Sequence, residues 1–92
     1  MYAQALEGAA TASLNEIVQR ELLPALRTEP GFSGAISLVD PATARALVLV
    51  FWETEEEAAQ PLRPYFGALL AALGVPDPET YAPRIWEVGA RA

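Results

Sequence analysis

The chain contains no cysteine, no lysine and no long apolar run. Without cysteine it has no disulfide, no thiolate nucleophile and no thiolate metal site. No apolar stretch approaches the roughly 18 residues that cross a bilayer as a helix, so no membrane partner is expected. The basic residues are all arginine (Arg20, Arg27, Arg45, Arg63, Arg84 and Arg91), spread singly along the sequence. A nucleic-acid surface clusters its cations to displace counterions from phosphates. With scattered arginines and a formal net charge of −6, no nucleic-acid partner is expected. Met1 runs into Tyr2, Ala3 and Gln4 without a basic segment, so no secretory leader is expected and the location reads as cytoplasmic. What is present is a globular composition, 52% hydrophobic and 20% charged over 92 residues. That is enough for a single domain over 1–92 with one core.

The centre of the chain is the stretch from Pro30 to Glu53, which reads as a β-hairpin apolar on both faces. Its strands are Phe32 to Val39 and Ala46 to Glu53, joined by the turn chemistry of Asp40-Pro41-Ala42-Thr43-Ala44-Arg45. A turn centred between Ala42 and Thr43 pairs Leu38 with Leu47, Ile36 with Leu49 and Gly34 with Phe51. The opposite face then carries Ser33, Ala35, Ser37 and Val39 across from Trp52, Val50, Val48 and Ala46. A slip of one residue exchanges the two faces.

Around the hairpin lie two helical patterns and two further strands. Met1 to Glu7 alternates as a strand, with Tyr2, Gln4 and Leu6 on one face, and Gly8 ends it. Ser13 and Glu16 have capping-box spacing, with Thr11 a competing cap, ahead of an apolar stripe of Leu14, Ile17, Val18, Leu22, Ala25 and Leu26. Pro24 inside that stripe predicts a kink, and Pro30-Gly31 stops the helix. Thr54-Glu55-Glu56-Glu57 opens a second helix with another capping box, interrupted at Pro61 and Pro64. A further helical segment is expected from near Pro61, striped by Leu62, Tyr65, Phe66, Leu69, Leu70 and Leu73 and capped by Gly74. Val75 to Thr80 reads as a linker, Tyr81 to Val88 as an edge strand because of Pro83, and Gly89 to Ala92 as a tail.

Strand, helix, strand, strand, helix, strand predicts an α+β, ferredoxin-like βαββαβ domain with a four-stranded antiparallel sheet and both helices on one face. Those helices leave the other face bare. Phe32, Ile36, Leu38, Leu47, Leu49 and Phe51 are assigned to it. Exposing six large side chains forfeits about 9–18 kcal/mol, against a typical domain stability of about 5–15 kcal/mol. The expected cover is a second copy: a homodimer in which two sheets pack face to face about a two-fold axis.

Pro30-Gly31-Phe32-Ser33-Gly34, the Trp52-Glu53 pair ending the third strand, and the Thr54-Glu55-Glu56 helix start resemble the antibiotic biosynthesis monooxygenase-like family of dimeric α+β barrels. These motifs lie within residues 30–56, about a third of the chain. The resemblance implies a pocket between each sheet and its own helices, lined by the tryptophan that is Trp52 here. It also implies a choice of activities, among them cofactor-free oxygenation of aromatic polyketides and quinols, and haem degradation. The haem-degrading members ligate iron through a helix histidine, and this chain has no histidine, so no haem or other cofactor is expected. The polyketide oxygenases place a polar amide four residues before the tryptophan, where this chain has Val48.

The pocket candidates are therefore Trp52, Tyr65, Ser33, Ser37, Val48 and Val50, with no metal ligands and no assignable catalytic residue. Trp52 offers a ring and an indole donor, Tyr65 a hydroxyl, and the serines donors to a bound oxygen. Arg63 and Arg84 are ordinary surface charges or anion holders, and Glu55 to Glu57 are best read as a dipole-matched helix start. Three functions stay compatible with this set. They are a cofactor-independent oxygenase of an aromatic or quinol substrate, a non-catalytic module holding a small aromatic or apolar ligand, and a purely structural homodimer.

Overall fold

The computed structural model describes residues 1–91, so only Ala92 of the expected tail lies outside it. Four strands, β1 (Tyr2–Ala9), β2 (Phe32–Asp40), β3 (Arg45–Trp52) and β4 (Arg84–Glu87), form one sheet in the order β2-β3-β1-β4. Every neighbouring pair is antiparallel. This α+β arrangement is compatible with a ferredoxin-like fold. The last strand is half the expected length and takes the edge position that Pro83 favours. No helix among the described residues is long and apolar enough to cross a membrane.

One face of the sheet holds the core. Leu6 from β1 and Ala46, Val48, Val50 and Trp52 from β3 are buried against Leu14, Val18, Leu22 and Leu26 of the first helical stretch. Phe66, Leu69, Leu70 and Leu73 of the second helical region complete the cluster. The apolar stripes predicted for both regions are thus the surfaces that pack.

The helices depart from prediction in instructive ways. Residues 14–26 run as α1 (Leu14–Ile17), a π-helical turn (Val18–Leu22) and α2 (Leu23–Leu26). The wide turn, in which the Leu23 amide reaches back to the Val18 carbonyl, accommodates the proline at position 24. Ser13 precedes α1 without a side-chain cap. Thr11 instead donates its hydroxyl to the Ala72 carbonyl at 2.7 Å, across the core. The second capping box does form: Thr54 accepts from the Glu57 amide while Glu57 accepts from the Thr54 amide, opening α3 (Glu55–Ala58). The following segment, α4 (Phe66–Ala72), starts five residues later than Pro61. It closes on Gly74 at φ 75°, with Gly74 N–H to Ala71 C=O and Val75 N–H to Leu70 C=O, both 3.0 Å. That pair of bonds is a Schellman cap. The expected linker contains a 3₁₀ turn, Pro78–Thr80.

The hairpin register is the predicted one from Gly34 to Val39, with Ile36 opposite Leu49 and Leu38 opposite Leu47. Before Gly34 it shifts. A bulge inserts Ser33, so that Phe32 and not Ser33 lies opposite Trp52. Gly34 takes φ 146°, a conformation that costs glycine least. The bulge corrects two face assignments: Phe32 turns into the helix-covered side, and Ser33 is exposed.

No helix among the described residues covers the opposite face. Ile36 and Leu38 are 45% and 48% exposed, Leu47, Leu49 and Phe51 are half-buried, and Trp86 of β4 is 50% exposed. Ala3 and Ala5 floor a groove of about 700 Å³ between these larger side chains. The Arg84 guanidinium lies 4.5 Å over the Trp86 ring.

The end of β1 locks the layers together. The Ala9 amide donates to the Leu73 carbonyl at 2.8 Å, and a β-carbon at Gly8 would press on that same carbonyl. Gly8→Ala therefore overpacks a backbone contact. It is expected to destabilise the fold by about 1–3 kcal/mol, read as a lower urea midpoint with an unchanged slope.

Candidate functional site

Between the sheet and the helical layer, beside Trp52, lies a cavity of about 170 Å³. Gln4 and Trp52 line it from the sheet, Glu29 and Pro30 from the turn before β2, and Glu57 to Phe66 from the α3–α4 region. An apolar cavity of about 150 Å³ is enough for one benzene molecule, so the space suits a single ring.

Trp52 is held on three sides. It ends β3 facing the helices and is 7% exposed. Phe32 meets it edge-on, with ring centroids 6.1 Å apart and planes at 73°, the arrangement that aromatic quadrupoles favour. Its indole Nε1 donates to Gln4 Oε1 at 3.1 Å, within the core.

Gln4 is 3% exposed and is the buried polar residue of the described core. Because Tyr2 pairs with Trp52 and Gln4 with Val50, Gln4 sits diagonally from Trp52 on the same face of the sheet. An indole nitrogen only donates, so the glutamine oxygen must face it, and the amide nitrogen is left as the free donor. Sequence reading did not single out Gln4. The signal was nevertheless there, in a polar residue sharing a face with Leu6.

The mouth of the cavity is polar. Tyr65 donates its hydroxyl to Glu29 Oε1 at 3.1 Å, and Arg63 Nε approaches the same oxygen at 3.8 Å. Tyr65 also stacks on Phe66 at 5.0 Å between centroids. Burial, then the hydrogen bond and charge of Glu29, push the Tyr65 pKa from 10.0 up to about 12. The hydroxyl is thus a committed donor at neutral pH. Glu57 reaches the cavity wall while its carboxylate accepts from Thr54.

Of the six sequence candidates, the structure brings Trp52 and Tyr65 to this cavity. Val48 and Val50 share the face of Trp52 but are fully buried in the core. Ser37 bonds Asn15 at 3.1 Å, tying β2 to α1, and exposed Ser33 turns back to the Gly31 carbonyl at 3.4 Å. Arg63 belongs to the mouth, whereas Arg84 lies on the opposite face of the sheet. Gln4, Glu29, Gln60 and Glu57 complete the site. Among the described residues no three acidic side chains converge as a metal site requires.

No protein-family model matches this chain, and no curated protein matches it either.

Burial of Tyr65, and after it the bond to Glu29, makes stability depend on alkaline pH. The folded state holds the Tyr65 proton up to about pH 12, whereas the unfolded chain releases it near pH 10.0. Its contribution is complete below pH 10 and is lost as pH rises through 12. Tyr65→Phe is expected to cost about 1 kcal/mol at neutral pH and to flatten the decline in unfolding free energy between pH 10 and 12, measured by urea titration at each pH.

Proposed function

We propose that this protein is a homodimeric α+β barrel of the antibiotic biosynthesis monooxygenase-like kind, whose helix–sheet pocket holds one small aromatic ligand. The observation that carries the ligand reading is the ring-sized cavity walled by Trp52 and Phe66, with Gln4 in its lining. A purely structural domain fills such a space with side chains, since voids larger than a water molecule are few in native cores. The motifs from Pro30 to Gly34 and at Trp52-Glu53 support the family reading.

Support for the dimer comes from the uncovered sheet face. Ile36, Leu38, Leu47, Leu49, Phe51 and Trp86 make an apolar surface that reaches across all four strands with the alanines of β1. A contiguous patch of that kind marks an interaction surface, and its place on an open sheet face suits a two-fold sheet-on-sheet contact. Ferredoxin-like topology and the resemblance both favour a second copy as the cover.

Catalysis is the second reading, and Glu29 is the observation that favours it. A carboxylate at the cavity is placed to accept the hydroxyl proton of a quinol, and deprotonation makes such a ring a better electron donor to dioxygen. In that reading Trp52 and Tyr65 hold the ring, and no cofactor takes part.

Three measurements test these readings. Light scattering is expected to return twice the chain mass at tens of micromolar, and Leu47→Arg to return one; a wild-type monomer overturns the dimer. A panel of single-ring aromatics is expected to raise Tm, and a flat response across the panel overturns the pocket. Oxygen uptake above the uncatalysed rate with single-ring quinols supports catalysis, and its absence leaves a binding module.

A further inference from the structure

We infer that the ligand of this pocket is an uncharged ring compound bearing an oxygen acceptor, and that Gln4 is the residue that selects it. The inference rests on the pocket reading above and concerns which molecule the pocket prefers.

The argument starts from the orientation of Gln4. Its oxygen is committed to the Trp52 indole at 3.1 Å, and the side chain is 3% exposed. Among the described residues its amide nitrogen has no acceptor, and Gln4 lines the cavity. That nitrogen is open to water, since no fully buried side-chain nitrogen or oxygen among the described residues lacks a partner, and a ligand that displaces this water without replacing its bond loses affinity. A ligand oxygen in the cavity satisfies the nitrogen, and a hydrocarbon leaves it unsatisfied. Sites built around such a donor reject the analogue without the acceptor far more strongly than apolar pockets reject a changed methylene.

Charge at the mouth supplies the second criterion. Glu29 and Glu57 both line the cavity. The one cation there, Arg63, is half exposed and already faces Glu29 at 3.8 Å. An anionic ligand would bring a third negative charge beside these two. A cation would satisfy the carboxylates but give the Gln4 donor nothing to bind. An uncharged ring with a carbonyl, amide or hydroxyl oxygen meets both conditions.

Benzamide, benzoate and toluene separate the criteria, because they share one ring and differ in acceptor and charge. Each is titrated into the wild-type protein while the Trp52 indole N–H resonance is followed by NMR, which reports binding at this site. Benzamide is expected to bind at least ten times more tightly than toluene or benzoate. Gln4→Met keeps the length of the side chain and removes the donor, and is expected to bring the benzamide-to-toluene ratio to about one. Toluene or benzoate binding as tightly as benzamide to the wild type overturns this inference and leaves the pocket standing. An unchanged ratio in folded Gln4→Met likewise overturns the role of Gln4. If none of the three moves the Trp52 resonance, the pocket reading falls and this inference with it. If Gln4→Met does not fold, the wild-type order of the three compounds decides.

Discussion

A four-stranded sheet has two faces to keep from water, and this chain carries helix enough for one. The helical stretch 14–26 and α4 bury Leu6, Val48, Val50 and Trp52 on their side. On the other, β3 alternates to Leu47, Leu49 and Phe51, and no helix among the described residues lies over them. Strand periodicity makes the two sets inseparable: the spacing that sends Val48 and Val50 into the core sends Leu47 and Leu49 out of it. The central strand is apolar at every position from Ala46 to Trp52. Unbroken apolar runs of this kind accompany sheets covered on both faces, and that pattern underlies the homodimer proposed above.

The buried pair of Gln4 and Trp52 is the other organising contact. It fixes the indole of the last residue of β3 to the middle of β1, next to the cavity. A single hydrogen bond of this kind adds only about 1 kcal/mol net to stability, yet it sets the direction of two side chains. With Phe32 on its edge and the Gln4 oxygen on its nitrogen, Trp52 has little freedom left. The wall it forms is therefore preorganised, and a ligand that fits it has less ordering to supply.

Much of this was legible from residues alone. The hairpin pairing from Gly34 to Val39 follows from the turn chemistry of Asp40-Pro41 and the alternation on both sides. The Thr54–Glu57 box and the Gly74 cap follow from local spacing. What escaped was decided by tertiary contact. Ser13 and Glu16 have capping-box spacing, but the helix start is fixed by Thr11 reaching the Ala72 carbonyl, a partner 61 residues away. The bulge at Ser33 reverses Phe32, whose ring then meets Trp52 edge-on. For the site, Trp52 and Tyr65 could be placed from stripe and strand, whereas the role of Gln4 exists only once β1 lies beside β3. Its polar character in an apolar face was the clue, and periodicity alone gives no reason for it.

The position of β1 has a consequence for how the chain is made. It lies between β3 and β4, so residues 2–5 pair with partners near 50 on one side and with Arg84 to Glu87 on the other. Only the β2–β3 hairpin is local. Emerging from the ribosome, the first strand has nothing to join until β3 follows some forty residues later, and its second edge stays open until β4 follows some eighty residues after it. Contacts so distant in sequence slow folding, and an unpaired apolar strand is the kind of edge that finds wrong partners. An inner strand of the sheet thus waits for both of its neighbours, and the four residues of β4 are the last of the four strands to join it.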